Sequence, residues 1–136
     1  MRVVVGPVQG FLALASPAEA GIAGTALVEI QTHDGLFASR TVQQHYASGF
    51  ADLADYFESL SQDWMGWRGS REWRSLEGEL QISAVHDGHI RLELELRGPF
   101  PRDWLVRCEI ALEPGEQLSA AATDLRAFAN SYDSSI

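Results

Sequence analysis

The segment "RLELELR", Arg91 to Arg97, alternates Leu92, Leu94 and Leu96 with Arg91, Glu93, Glu95 and Arg97. An apolar set and a charged set repeating every second residue fit a strand with its leucines in a core and its charges in water. A helix would scatter those leucines around its circumference. The neighbouring runs repeat the pattern. "LEGELQISAV" puts Leu76, Leu80, Ile82 and Ala84 on one face and Glu77, Glu79, Gln81 and Ser83 on the other. "WLVRCEIALE" turns Val106, Cys108, Ile110 and Leu112 inward and Arg107 and Glu109 outward. Upstream, "VQGFLALAS", "GTALVEIQT" and "LFASRTVQQHY" read as three earlier strands. "HDGL" and "HDGH" place Asp-Gly between such runs, a strong hairpin signal, and "GPFPRD" is a rigid turn. Connections this short make neighbouring strands antiparallel.

Two segments change to helical spacing. In "SGFADLADYFESLSQDW", Phe50, Leu53, Ala54, Phe57, Leu60, Ser61 and Trp64 form one stripe, with Ser48 as the expected N-cap. In "EPGEQLSAAATDLRAFANSY" the stripe is Leu118, Ala121, Ala122, Leu125, Phe128, Ala129 and Tyr132. The predicted architecture is a two-layer α+β domain over residues 1–136, frayed from 131 onward. It has about six mostly antiparallel strands and two helices on one face, in the order βββα-βββα. That order is compatible with a distant duplication, although the two halves share little sequence.

Composition excludes several kinds of chemistry. All ten basic residues are arginine. Without lysine there is no Schiff base, no pyridoxal chemistry and no phosphate loop ending in Gly-Lys. The formal charge of −9 disfavours binding to a phosphate backbone, so no nucleic-acid partner is expected. No apolar run reaches membrane-spanning length, so no membrane partner is expected either. The N-terminus superficially mimics a signal peptide, but Gly6, Pro7, Gln9 and Gly10 interrupt its apolar stretch, and a short strand followed by a turn reads better. The single cysteine, Cys108, excludes an intramolecular disulfide and fits a reducing cytoplasm.

"WMGWRGSREWRSLEGEL", Trp64 to Leu80, holds three of the four tryptophans. Trp64 falls on the first helical stripe, and Gly66 and Gly69 supply a reversal around Trp67, so the segment reads first as a corner of the fold. Trp and Arg also dominate interface hot spots, which makes Trp67 and Arg68 the pair to suspect of binding. His86 and His89 flank a turn and could face each other, but no spacing supplies a third metal ligand, and no metal or cofactor is expected. Cys108 on an apolar strand face reads as an inert thiol. Glu77, Glu79, Glu93, Glu95 and Glu109 collect on the open sheet face among arginines. No catalytic motif appears.

The stretch "WRGSREWRSLEGELQISAVHDGHIRLELELR" followed by "LEPGEQL" resembles a family of small actinobacterial proteins known only as a domain of unknown function. The matching positions are Gly66, Trp67, Gly69, Trp73, Ser75, Leu76, Glu77, His86, Asp87, Gly88, His89 and Glu113 to Leu118. One departure is His89 directly after Gly88. The resemblance covers nearly the whole chain and implies no activity. It agrees with a lone cytoplasmic domain, and small domains of this build often act through protein contacts, including as immunity proteins.

The leading expectation is therefore a non-enzymatic module that binds another protein, in one version an acidic immunity-type inhibitor of a basic toxin. Its expected contacts are Glu77, Glu79, Glu93, Glu95 and Glu109, with Trp67 and Arg68 at the edge. The alternative is a small-ligand binder or enzyme with Trp64, Trp67, Trp73 and Trp104 around a pocket between sheet and helices. A homodimer through the open face or an edge strand is compatible with either.

Overall fold

A computed structural model describes residues 1–7, 10–16, 24–101 and 103–133, with side chains through Ser131. The fold is α+β and antiparallel, but the described residues form eight strands rather than six. Strands β1 (Arg2–Val5), β2 (Phe11–Ala15), β3 (Thr25–Gln31) and β4 (Phe37–Gln43) form one sheet in sequential order. Helix α1 (Ala51–Gln62) follows. Strands β5 (Ser70–Arg74), β6 (Leu80–His86), β7 (Ile90–Arg97) and β8 (Leu105–Leu112) form the second sheet, and helix α2 (Glu116–Asp133) closes the chain. The order is thus ββββα repeated.

The two extra strands have local causes. Gly6 and Gly10, at φ +108° and +85°, turn the chain so that the N-terminal run is a strand of its own beside β2. "SREWR" carries Trp73 as its only apolar residue, so no apolar alternation announces β5. Gly78 at φ +74° lets Ser75–Glu79 reverse the chain, and β5 pairs with β6 instead of merging into it. Helix α1 also departs from expectation. It begins at Ala51 with Phe50 as its N-cap residue and no side-chain cap, so Ser48 lies outside it. It ends at Gln62, and Trp64, expected on its buried stripe, sits in the following turn, 51% exposed.

The helices run antiparallel against each other. Ser61 meets Ser119 at 3.3 Å, Arg126 bonds Glu58 at 2.7 Å and also reaches Asp55, and Phe50 packs on Phe128. Their apolar stripes and the inner faces of both sheets share one core, with Phe57 and Phe128 as its largest fully buried side chains.

The halves interlock through their first turns. The β1–β2 turn lies against β8, where a Cβ on Gly6 would stand 3.4 Å from Ile110 Cδ1. The β5–β6 turn lies against β4 through Glu79. This carboxylate is 7% exposed, accepts the Ser75 hydroxyl at 2.6 Å, and accepts the Gln43 backbone N–H at 3.0 Å. Arg40 adds a second tie by donating to the Arg97 carbonyl at 2.8 Å.

Candidate binding face on the second sheet

Strand register sets the outer face of the second sheet. Arg74, Gln81, Glu95 and Arg107 form one row across it. Glu72, Ser83, Glu93 and Glu109 form the next, and Ser70, Val85, Arg91 and Ala111 the third. An open cleft of about 490 Å³ lies over β5, β6 and β7, bordered by Glu72, Arg74, Gln81, Ser83, Glu93 and Glu95.

The carboxylates differ in what holds them. Glu95 is gripped from both sides, by Arg107 Nη2 at 2.9 Å and Arg97 Nη2 at 2.8 Å, and its side chain is only 14% exposed. The Arg107 hydrogen bond, with Arg97 adding to it against a burial penalty, holds its carboxyl below the usual range. Glu93 and Glu109 face each other directly, are more than half exposed, and have arginines no nearer than 3.8 and 3.9 Å. Glu72 has no salt bridge among the described residues.

Two of the expected acidic contacts lie elsewhere. Glu79 is not on this face at all but buried in the seam described above. Its strand begins one residue later, at Leu80, so the alternation that placed Glu79 outward does not reach it. Glu77 is exposed on the turn before β6. Conversely, sequence reasoning misses Glu72 and Arg74. The signal that could find them is the alternation in "SREWR", which aims Arg71 and Trp73 one way and Glu72 and Arg74 the other.

At the end of the sheet the Trp–Arg segment forms a tied corner. Trp67 donates its Nε1–H to the Ala84 carbonyl at 3.3 Å, Arg71 stacks 4.9 Å over its ring, and His86 meets it edge-on. Arg71 is fixed in turn by Asp63 at 2.7 Å. The Gly88 N–H donates to His86 Nδ1, which leaves His86 Nε2–H to donate to the Trp64 carbonyl at 2.7 Å. Trp64, Met65 and Arg68 are exposed beside this packing.

The four indoles do not converge. Trp73 bonds Asp52 on α1, and Trp104 packs on Gly98 in the β7–β8 hairpin, while core side chains fill the space between sheets and helices. His86 and His89 do not face each other, because the turn has three residues and His86 pairs with Ile90. His89 reaches Glu113 instead. Among the described residues no group of three or more metal-ligating side chains occurs. Cys108 is half-buried on the core side of β8, and burial pushes its thiol up.

Residues 7–132 match the model of a family of unknown function, DUF6228. The chain belongs to this family. The DUF6228 match runs from the β1–β2 turn into the last turns of α2, so it takes in both halves of the repeat. No curated protein matches the chain. Within the motif that carried the family resemblance, Ser75 is 2% exposed and bonded to Glu79, and Trp67 and His86 form the corner. Those positions serve the fold. No helix of the described residues is long and apolar enough to cross a membrane.

Proposed function

We propose that this chain is a non-enzymatic module that docks a basic protein on the outer face of its second sheet, as an immunity-type or regulatory partner in the cytoplasm. The observation that carries the reading is the row Glu72, Glu93 and Glu109. Like charges directly opposite across strands destabilise a sheet, and Glu93 opposite Glu109 is offset only by Arg107 at 3.8 Å and Arg91 at 3.9 Å. Arg or Lys side chains from a partner would relieve that repulsion. The net charge of −9 would speed the encounter in low salt. Glu77 on its turn and Trp67 with Arg68 at the corner would border the contact.

Because Glu95 is locked by two arginines, the informative reversal is Glu72→Arg with Glu93→Arg. A partner recovered by the wild-type protein and then purified should associate at least ~10-fold more slowly with the double variant at low salt. The same pair should show a weakened salt dependence. An unchanged on-rate, or a partner of acidic pI, would remove this face from consideration.

The cleft supports a second reading. About 490 Å³ lies within the size range of small-ligand sites, and its acidic border would suit a small polyamine. A saturable thermal shift with spermidine that Glu93→Gln abolishes would favour that reading over a protein partner.

A further inference from the structure

Strand β8 ends the second sheet with no strand beyond it among the described residues. The Gly98 N–H bonds the Trp104 carbonyl at 2.9 Å, and the register continues from Arg97 opposite Leu105. Antiparallel alternation then assigns the even-numbered residues of β8 to the β7 ladder. Leu105, Arg107, Glu109 and Ala111 therefore aim their N–H and C=O groups outward, and all four residues are exposed. No hydrogen bond from the described residues reaches these outward groups.

The other sheet edges are treated differently. Gln44 N–H to the Gly24 carbonyl sets the same alternation in β4. There, the outward Thr41 carbonyl takes Arg40 Nε at 2.8 Å, and the outward Gln43 N–H takes Glu79 at 3.0 Å. Strands β1 and β5 are short, at four and five residues. Natural sheets shorten, charge or cover their edges to prevent uncontrolled pairing. At eight residues β8 is the longest of these edges; it carries Arg107 and Glu109, Gly6 of the β1–β2 turn meets it at the Ile110 side chain, and no described group bonds its outward backbone from Leu105 to Ala111.

We propose that a second copy of this chain covers it, β8 pairing antiparallel with β8 about a twofold axis through Cys108. The sequence is self-complementary in this one register. Arg107 falls opposite Glu109 of the second copy, and Glu109 opposite its Arg107. Leu105, 52% exposed, falls opposite Ala111. On the core side, half-exposed Val106 falls opposite Ile110, and Cys108 opposite itself. A slip of one pairing step in either direction would put Arg107 against Arg107 or Glu109 against Glu109, which repel. Arg107 engages Glu95 through Nη2, which leaves Nη1 for the second copy. A twofold edge pairing is isologous and closes on itself, so it ends at a dimer. The two second sheets become one continuous sheet, and the Glu72–Glu93 rows remain open on its outer face. This pairing does not depend on the partner reading above.

The lone cysteine makes the register measurable. In this pairing the two Cys108 residues occupy a non-hydrogen-bonded site with Cα atoms about 4.5 Å apart, within disulfide reach. Native mass spectrometry and light scattering over a dilution series should show twice 15.0 kDa giving way to the monomer. Mild treatment with diamide should then join the subunits. The two thiols give two electrons and two protons to diamide, one S–S bond forms, and Cys108→Ser abolishes the crosslink while the non-covalent dimer persists. Arg107→Glu should weaken dimerisation at least ~10-fold by setting Glu against Glu twice, and Arg107→Glu with Glu109→Arg should restore it. A monomer at every concentration overturns the proposal, and so does a dimer that diamide fails to crosslink. The wild-type mass and crosslink decide it even if a charge variant misfolds. The Glu72→Arg, Glu93→Arg protein should still dimerise, so this pairing and the proposed binding face can fail separately.

Discussion

Replacing Glu79 tests how the two halves are held together. Its carboxylate is 7% exposed and satisfies the Ser75 hydroxyl and the Gln43 N–H at once, the one within its own turn and the other on the far half's edge strand. Hydrogen bonds to a charged group contribute about 1.5–3 kcal/mol each, and a buried donor left without a partner costs about 1–3 kcal/mol. Glu79→Ala removes both bonds and leaves the buried Ser75 hydroxyl without its acceptor, offset by the released cost of burying the charge, for a net loss of about 2–4 kcal/mol. For 136 residues this corresponds to a fall in Tm of about 7–14 °C. Glu79→Gln keeps one acceptor but turns an amide NH₂ toward a donor, and should cost about 1 kcal/mol. The assay is urea and thermal unfolding followed by circular dichroism and tryptophan fluorescence. Combining Glu79→Ala with Ser75→Ala should show a coupling of about 1 kcal/mol or more, because the two residues share one bond. If Glu79→Ala unfolds within ~0.5 kcal/mol of wild type, the carboxylate does not hold the seam and the reasoning is refuted.

Gly98→Ala should be destabilising by about 1–3 kcal/mol, because the new Cβ would stand 2.5 Å from Trp104 Nε1, and a crowded ring in the β7–β8 hairpin must move; unfolding at wild-type urea would contradict it. Acid stability should follow Glu95 and Glu58, whose carboxyls are held low chiefly by hydrogen bonds from Arg107 and Arg126 respectively. A lowered folded value means that this stabilisation is fully present above the ordinary value of 4.5 and is lost as pH falls through the folded value. Glu95→Gln should therefore lose less stability than wild type between neutral pH and strong acid, and an unchanged acid slope in urea melts at several pH values would count against the Arg107 clamp.

Most local elements are legible in the amino-acid sequence itself. The alternation of Leu92, Leu94 and Leu96 marks β7, and all three are buried. The stripes of Phe57 and Leu60, and of Leu125 and Phe128, mark both helices and name residues that are fully buried. Strand β5 is not legible, because "SREWR" shows one apolar residue and its pairing is set by Gly78 rather than by pattern. Trp64 falls off its expected stripe because periodicity does not say where a helix stops, and this one stops at Gln62.

The candidate site divides along the same line. Period and charge are enough to put Glu93, Glu95 and Glu109 on one open face, since a side-chain period of two depends only on the local backbone. What those charges do depends on which strands lie beside them. Register sets Glu93 against Glu109 and brings Arg107 to Glu95, whose other arginine, Arg97, lies two residues along the same strand. The same non-local pairing decides that Glu79, one carboxylate among many in the sequence, becomes the buried tie between the two halves. Local sequence determines how each segment turns its side chains, whereas partners separated by tens of residues are brought together only by the assembled core. The role of each charge is therefore decided there.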